Sequence, residues 1–463
     1  MLSDELLMHR YGQYLEHQGR IIEKELVRTI LKPHTNRLAK MYSARLKRAK
    51  RQFYEDYDKN VLLGFRRLAD KGYLELITSS ATHCFLPLLQ RHPSSIHAQL
   101  QMACKTHERL IGKAPGGMWL PECGYFQGLE QQLSPIGINY FFTDAHGLTL
   151  ANPPARHHVF APIMTASNTA VFARDLEISR LVWSAQQGYP GHPDYREFYW
   201  DLDKDVDEDI ISDYLGDEFL GKTSTGIKYH RITGKTENKE PYIPEQGYSR
   251  ALMHARDLHT RIIRRLELAK KDMPRMEPVL VAPFDAELFG HWWFEGPYFL
   301  EELIKLLARA QGGVSTDTPS LYLSRQKDIQ QSRPAPSSWG HGGYNSVWLN
   351  TKTDWLYNHL DRACSRMERL SRDNQSASGL KERALDQAAR ELMLAQSSDW
   401  AFIIKTGTSV GYAMKAIRDH ILGFTALADE IEQGNINVRR LETLEKKNNI
   451  FPDMDFRFFG PLK

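Results

Sequence analysis

The spacing of apolar residues along the chain predicts helices at both ends. From residue 2 to about residue 59, apolar side chains recur at every third or fourth position, with Glu and Arg between them. This period predicts one or two long amphipathic helices. After about residue 337 the strand pattern disappears, and helical periods occupy residues 356–372, 380–395, 408–427 and 437–447. These segments predict an α-helical C-terminal domain, with an irregular joint over residues 397–409.

Strand and helix patterns alternate in the middle of the chain. Short apolar runs predict strands at residues 72–79, 118–120, 138–143 and 279–282. Amphipathic stretches predict helices at residues 97–111 and 248–271. Such alternation is typical of a parallel α/β architecture, and here it favours a barrel-like sheet.

The alternation is interrupted over residues 148–245, where Pro, Gly, His and aromatic residues mix with few periodic runs. A long stretch of this kind predicts a functional insertion over the active face. Its turn GYPGHP is bounded by prolines and predicts that Tyr189 points outward. We therefore expect a catalytic barrel from residues 1–126 and 196–336, an inserted region with an active-site loop at 127–195, and a helical domain at 337–463.

Two acidic residues follow predicted strands and are candidates for catalysis. Glu122 stands at the exit of the strand in GGMWLPECGY, and Asp285 at the exit of the strand in VLVAPFDAELFGHWWFEGP. Carboxylates at strand ends of one barrel suit general acid/base and nucleophile chemistry on a glycosidic bond. The pair Trp292 and Trp293, predicted to open the next helix, suits stacking on a sugar face. A core aromatic cluster is the alternative for this pair.

Composition narrows the classes of partner. The net charge is only +3 and the basic residues are dispersed, which argues against a nucleic-acid partner. The four cysteines have no CxxC or metal-ligand spacing, so we expect reduced thiols in a cytoplasmic protein. The sequence has no apolar stretch of about 20 residues, so we expect no membrane span. We also expect no cofactor and no metal.

Four sequence segments, in order, resemble motif regions of glycoside hydrolase family 57, and within it the 1,4-α-glucan branching enzymes. They are LELITSSATHCFLPLL, MWLPECGY, APFDAELFGHWWFEGP and SSWGHGGYNSVWLN, and QSSDWAFIIKTGTSVGYA supports them. The resemblance implies a seven-stranded (β/α) barrel, a retaining transglycosidase and an α-1,4-glucan substrate such as amylose or a glycogen-like polymer. It also implies that Glu122 is the nucleophile and Asp285 the general acid/base.

The family's first barrel strand, with its His-containing motif, has no counterpart before Leu2. We therefore expect an incomplete barrel, either because the start of the sequence is shortened or because this strand is lost. A loss would leave neighbouring strands unpaired. An inactive glucan-binding protein is accordingly one alternative function. Another is a different activity of the same family, α-amylase or 4-α-glucanotransferase.

The resemblance implies further substrate contacts, each with a structural alternative. His83 would line the sugar site, Trp339 and Trp348 would offer flat faces to glucose rings, and Asp399 would hydrogen-bond a sugar hydroxyl. A purely structural role is the alternative for His83, helix packing for the two tryptophans, and a helix-capping role for Asp399.

Three expected contacts lie in or near the insertion. Arg196 resembles a substrate contact, although a surface ion pair with Glu197 or Asp194 is the alternative. Gly216 would allow close approach of the glucan or would simply stop a helix. Tyr189 would act as a lid that excludes water and favours transfer over hydrolysis, or it would be an ordinary turn residue.

Overall fold

The protein is described from a computed structural model that covers residues 2–215, 224–309 and 311–461. Gly216 lies outside these described residues. The helices are α1 (Glu5–Arg28), α2 (Pro33–Arg51), α3 (Val61–Asp70), α4 (Pro93–Ile111), α5 (Glu130–Leu133), α6 (Ala145–Thr149), α7 (Leu176–Trp183), α8 (Glu208–Leu215), α9 (Pro244–Asp272), α10 (Gly296–Ala308), α11 (Pro319–Arg325), α12 (Asp354–Asp373), α13 (Leu380–Ala395), α14 (Ser398–Thr406), α15 (Val410–Gln433) and α16 (Val438–Lys447). The strands are β1 (Gly117–Met118), β2 (Tyr140–Thr143), β3 (Ile163–Met164) and β4 (Ala170–Ala173).

The chain divides into two compact units. The first comprises residues 1–75, 175–271 and 282–317, and the second comprises residues 76–174, 272–281 and 318–463. The three-part division expected from the sequence stays a prediction.

The sheet belongs to the second unit and has the order β1-β2-β4-β3. Strands β1, β2 and β4 are parallel, and β3 is antiparallel to β4. Two further segments join through single parallel bridges, Thr78 with Met118 and Arg174 with Val281. The predicted strands 72–79 and 279–282 therefore pair with the sheet at single positions and form no continuous ladder. At Val279, for example, the amide donates to the Phe160 carbonyl instead of to a strand neighbour.

Both faces of the sheet are buried, as is usual for parallel strands. Tyr140 and Phe172 lie in one apolar cluster, together with Val279 and Val281. Phe141 and Val171 point into the larger core that α4 and the C-terminal helices share. Because side chains alternate along a strand, the consecutive apolar residues of β2 and of β4 supply both faces of the sheet.

The segment after Gly147 contributes regular structure that hydropathy did not predict. It supplies β3, β4 and α7, and β4 lies between β2 and β3. Helix α7 begins where the Asp175 carboxylate accepts a hydrogen bond from the Ile178 amide. These elements are two to eight residues long, which is too short for a periodic pattern to stand out.

In the first unit, the predicted N-terminal helices are α1 and α2, followed by a π-helical turn and then α3, which was not predicted. Ile21 and Ile22 of α1 and Leu38 of α2 pack with Tyr42 and Phe294 in one apolar cluster. The apolar residues whose spacing predicted these helices are thus the residues that pack them together.

The helices expected near the C-terminus are observed as α12, α13, α15 and α16. The expected irregular joint at 397–409 is wrong in its main part, because α14 occupies Ser398–Thr406. Ala401 and Ile404 are buried on one face, and Gly407 ends the helix in the left-handed conformation, with φ of 83°. Two turns bounded by polar residues gave too little periodicity for the helix to be predicted.

Candidate active site

Glu122 stands in a strained turn at the end of β1. The chain leaves the strand at Met118 and enters the short 3-10 turn Pro121–Cys123. Glu122 has φ of 61° and Cys123 has φ of 52°, a left-handed conformation that costs energy for residues other than glycine. Unusual backbone of this kind occurs preferentially at functional sites. The Glu122 side chain is 14% exposed.

Both carboxylate oxygens of Glu122 accept a hydrogen bond. The indole Nε1 of Trp339 donates to Oε2 at 2.6 Å, and the Ser398 hydroxyl donates to Oε1 at 3.2 Å. The Trp339 amide also donates to the Glu122 carbonyl at 2.9 Å. The carboxylate is therefore fixed by residues from two distant segments of the second unit.

His83 lies beside the same carboxylate. Its Nδ1 is 4.0 Å from Glu122 Oε1 and 3.0 Å from the Ser398 hydroxyl oxygen. Its side chain is 40% exposed, and its carbonyl accepts a hydrogen bond from the Ser398 amide at 3.0 Å. Of the residues predicted for the site, the structure brings His83, Glu122 and Trp339 together.

Trp339 is held by polar and aromatic neighbours. Its ring meets the Trp119 ring edge-on, with 4.9 Å between centroids, and the Arg174 guanidinium lies 5.7 Å from its centroid. Arg174 in turn pairs with Asp144 at 2.7 Å. Sequence reasoning missed Trp119, Arg174 and Ser398. The available signal was their position, since Trp119 and Ser398 stand inside the motif segments and Arg174 directly follows β4.

Trp348 does not offer a free face to a ligand, so the expectation of a sugar platform there is wrong. Its ring is 1% exposed and stacks on Phe85 with centroids 4.1 Å apart. A short 3-10 turn, Asn345–Val347, directs the ring into the core. The packing alternative therefore describes this residue.

Asp399 is exposed in the first turn of α14, beside Ser398. The N-cap position belongs to Ser397, so the Asp399 carboxylate does not occupy the capping position.

Asp285 belongs to the first unit. It is half-buried and is the N-cap residue of the 3-10 turn Ala286–Leu288. The tryptophans that follow precede α10, which begins at Gly296, so the expectation that they open this helix is wrong. Trp293 is 1% exposed and packs in the core, whereas Trp292 is 46% exposed and stacks on Phe198.

Comparison with known proteins agrees with the motifs. Residues 4–331 match the family model described as glycosyl hydrolase family 57. The 1,4-alpha-glucan branching enzyme TK1436 of Thermococcus kodakarensis is 32% identical over 97% of this chain and 68% of its own length. The chain belongs to glycosyl hydrolase family 57.

Further similarities place the chain with the branching enzymes of family 57. Residues 359–459 match the model of the C-terminal domain of 1,4-alpha-glucan branching enzyme. The solved structure of TK1436 with glucose superposes with a TM-score of 0.88 at 31% identity, covering 100% of this chain and 85% of that chain. The α-amylase AmyC of Thermotoga maritima has a TM-score of 0.93 at 39% identity, covering 100% and 88%.

Tyr189, the family's expected lid residue, is not presented to solvent. The residue is 7% exposed, its hydroxyl donates to Asp257 at 2.7 Å, and its ring stacks on His254. Burial is the main cause that raises the pKa of Tyr189. Gly191 lets the turn fold back, since a side-chain carbon there would overlap the Ala185 carbonyl. The expectation of an outward-pointing Tyr189 is wrong.

Arg196, an expected substrate contact in this family, is buried, with 8% exposure. Its guanidinium donates to the Tyr42 hydroxyl at 3.0 Å and lies 4.1 Å from the Phe294 ring centroid. Its amide donates to Glu295 at 3.1 Å, and burial raises the pKa of that carboxyl. These contacts identify Arg196 as a packing residue of the first unit, so the expected substrate contact is wrong.

The alternative surface ion pair of Arg196 is not observed either. Glu197 pairs with Lys239 at 2.9 Å, and Asp194 pairs with Arg250 at 2.8 Å.

In the described ranges, no group of three or more His, Cys, Asp or Glu side chains is arranged to hold a metal ion. Across those same ranges, no helix combines the length and the apolar character required to cross a bilayer.

Proposed function

We propose that this family 57 protein acts as a 1,4-α-glucan branching enzyme through Glu122 and Asp285. It would cleave an α-1,4 linkage and rejoin the released segment to a 6-hydroxyl of a glucan. The single observation that carries the proposal is the Glu122 carboxylate, held at a strand exit by Trp339 and Ser398, in a chain that matches the branching-enzyme C-terminal model.

In the first step, a Glu122 oxygen attacks the anomeric carbon while Asp285 gives its proton to the leaving glycosidic oxygen. The products are a glycosyl ester on Glu122 and a shortened glucan. In the second step, the Asp285 carboxylate takes the proton of a 6-hydroxyl, whose oxygen displaces Glu122. Two inversions preserve the α configuration. This retaining scheme requires carboxyl groups about 5–5.5 Å apart.

The sheet supports the role of Asp285. Met118 precedes Glu122 by four residues and Val281 precedes Asp285 by four residues. Both lie in parallel-paired segments of the second unit. Acids that follow parallel strands at their carboxyl ends are typical catalytic residues of (β/α) barrels. The five parallel segments at Thr78, β1, β2, β4 and Val281 also fit a (β/α) barrel, the architecture that we propose.

His83 and Asp399 are the proposed contacts to sugar hydroxyls, and Trp339 both contacts the glucan and orients Glu122. The substrate would be amylose or a glycogen-like polymer, in glycogen biosynthesis. None of the four cysteines, all of which lie in the described ranges, forms a disulfide, which is consistent with a reducing cytoplasm.

The test is an incubation of the full chain with amylose, followed by quantification of α-1,6 linkages. We expect new branch points with the unaltered chain and none with Glu122→Gln. Glu108→Gln, which alters an exposed acid on α4, is the matched control and should branch normally. Branch points formed by Glu122→Gln at the normal rate would refute the assignment.

A second candidate, α-amylase, is favoured by the 39% identity to AmyC. The same incubation separates the two activities. New reducing ends without α-1,6 linkages would indicate hydrolysis. Retardation in an amylose gel without either product would indicate a glucan-binding protein without turnover.

A further inference from the structure

Ser398 contacts the carboxylate that is proposed to carry out the chemistry, yet nothing in the motif resemblance gives this serine a role. We infer that Ser398 is a positioning residue for Glu122 and that it links this carboxylate to His83. The inference rests on the proposed function of Glu122 and deepens it.

Two hydrogen-bond donors, one on each carboxylate oxygen, together orient the Glu122 side chain. Trp339 holds Oε2 at 2.6 Å and Ser398 holds Oε1 at 3.2 Å. A carboxylate with one donor can still rotate about its last carbon–carbon bond. With a donor on each oxygen, the plane of the group is set, and with it the direction of the lone pair that attacks carbon.

Ser398 is itself held in place. The residue is 2% exposed, and its amide donates to the His83 carbonyl at 3.0 Å. The neighbouring Ser397 forms an antiparallel bridge with Cys84. The hydroxyl therefore lies on a segment that is tied to the chain at His83 and at Cys84.

A helix-capping role does not account for this hydroxyl. Ser397, not Ser398, is the N-cap residue of α14, and it makes no side-chain capping bond. The Ser398 hydroxyl is engaged with Glu122 and His83. Its two contacts therefore face the proposed active site.

The hydrogen bonds that the Ser398 hydroxyl can donate and accept also orient His83. A serine hydroxyl has one proton to donate and lone pairs that accept. Donation to Glu122 leaves Ser398 to accept from His83, which places a proton on Nδ1. The other ring nitrogen, Nε2, is then available on the exposed part of the side chain for a sugar hydroxyl.

The experiment compares Ser398→Ala with Ser398→Thr in the full chain, using a 4-nitrophenyl α-maltooligosaccharide as the probe. Nitrophenol release reports the attack by Glu122. Loss of a hydrogen bond to a charged carboxylate should lower kcat about tenfold to a hundredfold, with KM changed less than about twofold. The Thr variant keeps the hydroxyl and should recover most of the lost kcat.

Ser397→Ala is the matched control, because it removes a neighbouring hydroxyl outside the network and should leave kcat unchanged. Thermal unfolding of each variant separates a folding defect from a kinetic one. If Ser398→Ala folds poorly, Ser398→Cys keeps the size with a weaker donor, and its kcat should fall between those of Ser and Ala. Unchanged kcat in folded Ser398→Ala or Ser398→Cys would overturn the inference.

The variant Glu122→Gln separates a failure of the positioning role of Ser398 from a failure of the proposed role of Glu122 as nucleophile. If this variant is inactive and Ser398→Ala behaves like the unaltered chain, the positioning role fails and the proposed function stands. If Glu122→Gln remains fully active, the assignment of the nucleophile fails, and the inference fails with it.

Discussion

At the scale of single residues, the site depends on a carboxylate whose backbone and side chain are both constrained. Glu122 adopts a left-handed conformation, which costs about 1–2 kcal/mol for a residue with a side chain. The Trp339 amide, through its bond to the Glu122 carbonyl, holds the turn in this conformation. The strain is thus offset by the same segment that provides the indole donor to the carboxylate.

Trp339→Phe tests this dual role, because it removes the indole donor and keeps an aromatic ring. We expect kcat to fall about tenfold to a hundredfold, since a bond to a charged acceptor is worth about 1.5–3 kcal/mol. The control is Trp355→Phe, whose indole donates to the Lys352 carbonyl at 3.0 Å. Steady-state kinetics of both variants provide the measurement. Equal kcat values for the two would contradict the assignment of Trp339.

Sequence reasoning at this scale pointed to Glu122 and Trp339, but not to the contact between them or to Ser398. Glu122 stands in a short motif that ends a strand, so its position followed from local pattern. Its partners Trp339 and Ser398 are 217 and 276 residues away, and local pattern carries no information on such contacts. The predicted orientations of the Trp348 and Tyr189 side chains were wrong for the same reason. Tertiary packing decides which way an aromatic side chain points.

At the scale of elements, the long helices were predicted with nearly the observed bounds, whereas several of the short elements were not predicted. The 16 residues of α13 were predicted at the bounds that the structure has, because several turns repeat the same apolar stripe. Strand β1 was predicted from the apolar run at 118–120, whereas the two-residue strand β3 and the nine-residue helix α14 repeat no pattern long enough to recognise. The sheet is nevertheless what positions Glu122, so its topology had to come from pairing between distant segments.

Two glycines, Gly407 at the end of α14 and Gly411 within α15, give a pair of opposite predictions on stability. Gly407 has φ of 83°, whereas Gly411 lies within α15 with open space around an added side-chain carbon. Gly407→Ala should destabilise the protein by about 1 kcal/mol. Gly411→Ala should stabilise it by about 0.5–1 kcal/mol through helix propensity. Thermal unfolding measures both, and shifts of the same sign would contradict the helix end at Gly407.

Asp386 on α13 gives a prediction on pH. Burial raises the pKa of Asp386 to about 6, with Asp455 and Glu382 adding to the shift. A carboxyl whose pKa is higher in the folded state stabilises the fold below its unfolded pKa, and this contribution is lost as pH rises through about 6. Asp386→Asn keeps an acceptor for the Phe456 amide and removes the charge.

We therefore expect Asp386→Asn to unfold at a higher temperature than the unaltered chain at pH 7.5 and at the same temperature near pH 4. The exposed residue Asp373 pairs with Arg372, which lowers its pKa, so Asp373→Asn should not gain stability at high pH. Melting curves across this pH range provide the test. A stability gain at pH 4 as large as at pH 7.5 would be inconsistent with a buried charge.

At the scale of the whole molecule, family membership and chemistry lead to the same residues. The family 57 match spans residues 4–331 and includes both proposed catalytic acids, and the branching-enzyme C-terminal match spans residues 359–459. Ser398 lies within the second matched region and Glu122 within the first. The C-terminal region thus contributes directly to orienting the proposed nucleophile, which predicts that changes there affect kcat as well as stability.

The most direct test of the central claim is to trap the glycosyl ester. A fluorinated maltosyl donor that slows the second step should leave a sugar covalently attached to the protein. Mass spectrometry of the digested protein is predicted to find this mass on the peptide that contains Glu122, and to find none in Glu122→Gln. A sugar attached to another residue, or turnover of the donor with no label on Glu122, would contradict the account.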